Sequence, residues 1–356
     1  MSGPSPRAAA LFSLLLIPAP PAAHASLMAR AAAGPVPGQA AAGAGEQTPV
    51  IDRRDDRFDA LIPPRAALEK VADGFRWVEG PVWDGRGGHL LFSDIPANSI
   101  FKWSEGAAPI LFLKPSGYSG SAPFTGEEPG SNGLTFDPAG RLALCEHGDR
   151  RISRLEADGR RTVLADRYEG KRLNSPNDLV YRSNGDLYFT DPPFGLPRAF
   201  EDPGKELDFQ GVFRLAKDGR LTLLTRELRA PNGLAFSPDE RTLYVSDARR
   251  DRPVWMAFEV RSDGTLGAGR VFFDGSDWAG RWKGAPDGMK VDRQGNLFAA
   301  GPGGVHVFAP DGTHLGSLLT GVATSNCAWG GDGSVLYVTA GTAVYRIRTG
   351  TRGARL

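Results

Sequence analysis

Residues 232–248 read NGLAFSPDERTLYVSDA. A polar residue, Asn232, is followed four positions later by a bulky hydrophobic one, Phe236; a polar turn comes next, and then TLYVSD, whose side chains alternate with the two-residue period of a strand. The same layout recurs five more times, as EGPVWDGRGGHLLFSDI from Glu79, NGLTFDPAGRLALCEHG from Asn132, NDLVYRSNGDLYFTDPP from Asn177, DGMKVDRQGNLFAAGPG from Asp287 and SNCAWGGDGSVLYVTAG from Ser325. The hydrophobic anchors are Trp83, Phe136, Tyr181, Val291 and Trp329, and successive register positions lie 53, 45, 55, 55 and 38 residues apart. A period of roughly 40 to 50 residues with several short strands per repeat is the mark of a β-propeller.

Working outward from each anchor, four strands per repeat are expected. The first repeat continues with HLLFSD, SIFKW and PILFLK, and the fourth with TLYVSD, PVWMAFEV and RVFFDG. The last repeat holds three strands, VATSNCAW, VLYVTA and AVYRIRT, so its fourth is expected from LEKVADGF, Leu68 to Phe75. The fold class is therefore all-β, a six-bladed β-propeller of four-stranded blades closed by an N-terminal strand that completes the last blade. Such closure removes an exposed sheet edge.

Innermost strands of a propeller line its central channel, so Glu79, Asn132, Asn177, Asn232, Asp287 and Ser325 are expected to point at one axial site. Asn-Gly and Asp-Gly pairs also form turns. Turn chemistry explains neither Glu79 nor the mixture of two carboxylates with three carboxamides. All these groups are hard oxygen donors, which suit Ca²⁺, Mg²⁺ or Mn²⁺ better than zinc or copper. With two cysteines, Cys145 and Cys327, and no paired-histidine motif, zinc arrangements lack support.

The runs EGPVW, GKRLNSPNDL, PNGLAFSPD with LYVSD, and PDGMKVD with GNLFAAGPGGVHVFAPDG resemble the bacterial branch of the senescence marker protein/gluconolactonase/luciferin-regenerating enzyme family, over about Ile62 to Arg348. The resemblance implies a six-bladed propeller with one divalent cation, usually calcium, on the channel axis, and hydrolysis of sugar lactones. It implies Glu79, Asn232 and Asp287 as metal ligands, with Asn177 as a fourth ligand or a substrate contact. In animal members a substrate-binding arginine lies two residues before the equivalent asparagine; here Arg172 lies five before Asn177, with Asn174 and Pro176 between.

Opening a lactone passes through a tetrahedral oxyanion, which a divalent cation can stabilise while lowering the pKa of its water. Asp287 is read as the catalytic base, taking the proton of that water while still ligating. Asn132, Asn177 and Arg172 would orient sugar hydroxyls and the carbonyl. Two other readings use the same ring: a non-catalytic calcium-dependent sugar-binding or ligand-binding propeller, and a hydrolase of an aryl ester or phosphotriester. The fold alone does not choose among them.

His147, fifteen residues after its register position, is aligned with Asp94 and Asp247, and is expected to end a strand with its side chain on backbone amides. A Ser-His-Asp hydrolase is not indicated, since no GxSxG segment occurs. Trp77, Trp83 and Trp329 are read as core fillers between blades, and both cysteines as free buried thiols. Two insertions, Pro115 to Ser131 and Pro192 to Phe209, carry Tyr118, Phe124, Phe194 and Phe200, which could wall the pocket if both loops rise on the ring face.

Residues 1–25 read as a secretory signal peptide, 26–50 as a flexible linker rich in Ala, Gly and Pro, and 51–350 as the propeller. Export would place the protein in the periplasm or outside the cell. The leader's apolar run is too short to span a bilayer. A net charge of +1 without a basic run argues against nucleic acid, and RRDDR from Arg53 is read as a solvated lead-in. A monomer or weak homo-oligomer acting on a small lactone is expected.

Overall fold

The computed structural model describes residues 48–355. The expected leader and most of the linker lie outside the described residues. Six antiparallel sheets form the blades, each built round three or four consecutive strands paired in sequence order, and a two-stranded ribbon pairs Arg167–Tyr168 with Lys171–Arg172. The first blade, for example, is Val78–Asp84, His89–Asp94, Ser99–Trp103 and Ile110–Leu113, and the fourth is Pro231–Phe236, Thr242–Asp247, Val254–Val260 and Leu266–Asp274. In the last blade, Glu69–Ala72 pairs antiparallel with Ala343–Arg348, so chain from both sides of the repeats is joined in one sheet.

Blade packing follows from strand alternation. In HLLFSD, Leu90 and Phe92 face one way, into a cluster with Trp103, Tyr337 and Val344, and so seal the first blade against the sixth. Leu91 faces the other way, packing with Leu134, Leu142 and Leu144 of the second blade. Each central strand is thus buried on both faces, which is why its pattern is nearly continuous apolar sequence. The outermost strand of the first blade escapes this rule, with Ile110 and Leu111 each 54% exposed.

Two readings of the sequence are corrected here. Val50, expected as the end of the linker, and Arg53, expected as the start of a solvated lead-in, belong to one strand, Val50–Arg53, which pairs with His314–Leu319 as a fifth, outermost strand of the fifth blade. Behind it the short helix Phe58–Leu61 buries Phe58, Leu61 and Ile62 in the core between the fifth and sixth blades, while Arg53 donates to the Ile62 carbonyl at 2.8 Å. Trp83 stacks on Tyr337 at 5.6 Å and Trp329 meets Phe298 edge-on at 4.9 Å, but Trp77 is half-buried and has no aromatic partner among the described residues. Both cysteines are free and buried. No described helix is long and apolar enough to cross a membrane.

Candidate functional site

The inner strands of neighbouring blades are laced together at the register positions. Gly133 N–H donates to the Asn177 carbonyl and Gly288 N–H to the Ser325 carbonyl, both at 2.8 Å. Hydroxyls from the second strands reach across to the next blade's register carbonyl: Ser93 to Asn132 at 2.9 Å, Thr190 to Asn232 at 2.6 Å, and Ser246 to Asp287 at 3.0 Å. The backbone of each register residue is thereby fixed, which aims its side chain. Glycine follows the register residue in four of six blades because strand meets strand there: a Cβ on Gly133 would lie 2.7 Å from the Asn177 carbonyl oxygen, and one on Gly288 would overlap the Asn326 carboxamide.

Glu79, Asn132, Asn177 and Asn232 are all buried, and Asp287 keeps part of its surface open. Burial pushes the Glu79 carboxyl up to about 8, and the nearby charges of Asp178 and Glu128 push the same way. The Asp287 carboxyl is held well above the usual range, chiefly because protein surrounds it and next because Glu79 and Asp178 stand close. The structure therefore brings Glu79 and Asp287, from the first and fifth blades, into one electrostatic unit. Burial is the first cause of both shifts, and for Asp287 the charge of Glu79 comes next. Beside them are acceptors without donors: Asn132 Oδ1 and Asn232 Oδ1 are buried and accept no hydrogen bond among the described residues. A buried carboxamide oxygen left unbonded is costly. Among the described residues no three carboxylate, imidazole or thiolate groups converge as a cation site on their own, so the donor set available is carboxylates mixed with carboxamides.

The sixth position departs from expectation. Ser325 donates to the Val78 carbonyl at 2.7 Å and serves the seam between the last and first blades. Its neighbour Asn326 faces the site, donating to Glu79 Oε2 at 3.2 Å. Asp178 and Asn326, the two residues that replace glycine after the register position, were not singled out by sequence reasoning, although that replacement was a visible signal. Arg172 is held from two sides: its guanidinium donates to the Asp149 carbonyl at 3.0 Å and its backbone N–H to Glu206 at 2.7 Å.

His147 is also corrected. Glu146, not His147, occupies the strand-end place opposite Ser131, as Asp94 does opposite Val78 and Asp247 opposite Pro231. Asp94 accepts from Trp77 N–H at 3.2 Å and Asp247 from Ala230 N–H at 2.9 Å, whereas the His147 ring bonds to no backbone amide.

Both insertions rise on the ring face. The first runs from an outer strand to the start of the next inner strand, and the second follows the inward-running strand Leu187–Asp191; in an antiparallel blade these ends lie together. Gly126 of the first packs on Pro197 of the second. Tyr118 lies 5.1 Å from Phe124, and Phe194 lies 6.0 Å from Phe200.

A cavity of about 370 Å³ lies further along the channel, lined by the anchors Trp83, Phe136, Tyr181, Phe236, Val291 and Trp329, with Ala354 and Arg355 in its wall. It is lined by none of the perturbed carboxylates, so the ring, and not this cavity, is the candidate site.

Fold and ring together define a six-bladed propeller with an acidic, carboxamide-rich centre. Residues 77–342 match the SMP-30/Gluconolactonase/LRE-like region, and the chain belongs to that family. It is 44% identical to the gluconolactonase of Zymomonas mobilis over 311 residues, 85% of this chain and 87% of that one. It is similar in structure to a gluconolactonase from Xanthomonas campestris, with TM-score 0.72, 34% identity, and coverage of 86% of this chain and 98% of the other. A calcium-binding regucalcin from Agrobacterium tumefaciens shares the fold, with TM-score 0.63 and 21% identity over 80% of this chain and 95% of its own.

Proposed function

We propose that this protein hydrolyses sugar lactones, with a divalent cation, calcium first among the candidates, held at the ring. The observation that carries the reading is the meeting of two carboxyls whose pKa values burial raises, Glu79 and the partly open Asp287, with buried carboxamide oxygens of Asn132 and Asn232 that have no hydrogen-bond donor among the described residues. That donor set fits a hard cation. Glu79, Asn177, Asn232 and Asp287 would hold it. Once bound, such a cation supplies Lewis acidity to a carbonyl oxygen and acidifies water.

The chain's own residues would do the rest. Asp287, the one register residue partly open to the channel, takes a proton from the attacking water at a carboxylate oxygen. Asn132 and Asn177 orient the substrate's hydroxyls, and the two loops shield the face from bulk water. Arg172, whose guanidinium holds the Asp149 carbonyl through one nitrogen, would offer its other N–H groups as a further substrate contact. The similarity to named gluconolactonases supports the lactone as substrate. The leader-like residues 1–25 support export to the periplasm, testable by sequencing the N-terminus of the mature protein.

The test is proton release from glucono-δ-lactone by chelator-stripped protein, repeated after adding Ca²⁺, Mg²⁺, Mn²⁺ or Zn²⁺, with Asp287→Ala as control. Metal-dependent turnover, lost by at least about 100-fold in the variant, is expected for a residue acting as base and ligand together. No turnover above the spontaneous rate with any metal overturns the proposal.

A further inference from the structure

The first insertion is not a loose loop. Asn98 Oδ1 accepts the backbone N–H groups of Ser116 and Gly117 at 2.9 and 2.8 Å, Ser119 N–H donates to Asp149 at 3.1 Å, and Ser131 N–H donates to Ser116 Oγ at 2.9 Å. Both ends of the segment are therefore pinned to the ring face. Near its return lies Glu128, four residues before Asn132 and about one-third exposed.

Behind Glu128 sits His147, fully buried. Its Nδ1 lies 2.9 Å from Glu128 Oε2, close enough for an ion pair but without hydrogen-bond alignment, and neither ring nitrogen has any other partner. A Cβ on Gly195 would run into the His147 side chain, so the second insertion closes over the imidazole from the other side. A fully buried imidazole with no hydrogen bond is costly unless it does something for its one neighbour. Glu128 stands on the insertion pinned to the ring face, four residues before the register residue Asn132, and so lies at the mouth of the ring.

Resting on the reading that the ring opens sugar lactones, we propose that Glu128 grips the substrate, accepting hydrogen bonds from sugar hydroxyls, and that His147 is a positioning residue acting through it. The arrangement selects for uncharged polyhydroxylated lactones over plain alkyl lactones, which offer no hydroxyl to the carboxylate. It also selects against a phosphorylated lactone whose phosphate would meet the Glu128 carboxylate. A site built to bond a hydroxyl discriminates far more sharply than an apolar pocket does.

The experiment compares glucono-δ-lactone with δ-valerolactone, read as kcat/KM or, if the latter is not turned over, as its Ki against the former. A hydrogen bond to a charged group corresponds to about 10- to 100-fold. Glu128→Gln and Glu128→Ala should lower kcat/KM for glucono-δ-lactone by about that factor, mostly through KM, and leave the δ-valerolactone value within about twofold. His147→Ala should show the same selective loss, and combining it with Glu128→Ala should add nothing further, as residues acting as a unit do. If His147→Ala does not fold, the two Glu128 variants carry the test alone. An unchanged gluconolactone value, or equal losses on both lactones, overturns the proposal and leaves the pair as a structural clasp. Absence of gluconolactone turnover in the wild type would instead overturn the lactonase reading itself.

Discussion

Stripping the cation from the ring should make the protein less stable as pH rises, and reloading it should matter most at alkaline pH. In the metal-free protein the Glu79 carboxyl is raised from 4.5 to about 8, with burial as the main cause. A raised carboxyl contributes stability that is fully present below the unfolded value, here 4.5, and is lost as pH rises through the folded value, here about 8. At about 1.4 kcal/mol per pH unit this single group amounts to about 5 kcal/mol. A bound cation takes the place of the proton, so the loaded protein escapes the loss. His306, lowered to about 3 by burial, and Asp191, raised to about 7 by burial, affect loaded and stripped protein alike and cancel in the difference. About 3.5 kcal/mol of this falls between pH 5 and pH 8, so at about 2 °C per kcal/mol for a domain of this size the gap in Tm between saturated and stripped protein should widen by about 7 °C over that window. Differential scanning calorimetry with and without chelator reads it directly. A gap that stays flat or narrows over that window refutes the electrostatic argument. Glu79→Gln supplies the complementary arm: it removes the buried charge while keeping the shape, so the stripped variant at pH 8 should melt above stripped wild type and no longer respond to metal.

Two further perturbations probe the scaffold. Gly288→Ala places a methyl group in the Asn326 carboxamide, which must leave Glu79; a loss of about 2 kcal/mol or more in urea unfolding and weaker metal binding by titration calorimetry are expected. Phe58→Ala empties a fully buried site between the fifth and sixth blades, and should cost about 3–5 kcal/mol in the same unfolding assay while leaving kcat/KM of the folded protein unchanged.

The repeats were legible because each blade uses the same physical solution. An inner strand must carry a polar residue where it enters the channel and a large apolar one where it meets the next blade, and this pair recurs at a fixed offset of four residues. Glu79 and Asp287 were found on that basis, and the structure couples them across the channel. The fifth strand at Val50–Arg53 was hidden, since four residues are too few to show a period and its exposed edge placement lets it be polar. Glu128 was hidden for a different reason: a loop has no periodicity, and only the fold returns residue 128 to the face of residue 147.

The misplaced sixth ring residue follows from a bulge. In the first blade Glu79 pairs with Ser93, and the extra residue falls after it, before Val82 pairs with Leu91. In the sixth blade Thr324 pairs with Ala340 and Asn326 with Thr339, so the extra residue is Ser325 itself. Thr339 is the counterpart of Ser93, and Asn326 is therefore the counterpart of Glu79 in pairing although it stands one residue later in the count from the anchor. A bulge shifts every side chain before it to the opposite face while leaving the residues after it in register. Counting back from Trp329 thus lands on a serine turned into the blade seam, and the carboxamide that meets Glu79 is the next residue along. His147 is displaced by a different route: the turn from Phe136 to its partner Leu142 is one residue shorter than that from Trp83 to Leu90, so Ser131 pairs with Glu146, the strand-end role falls to the residue before His147, and the imidazole is free to turn toward Glu128. In both cases the function of a side chain was decided by one residue of strand register, a quantity fixed by the hydrogen bonds between strands.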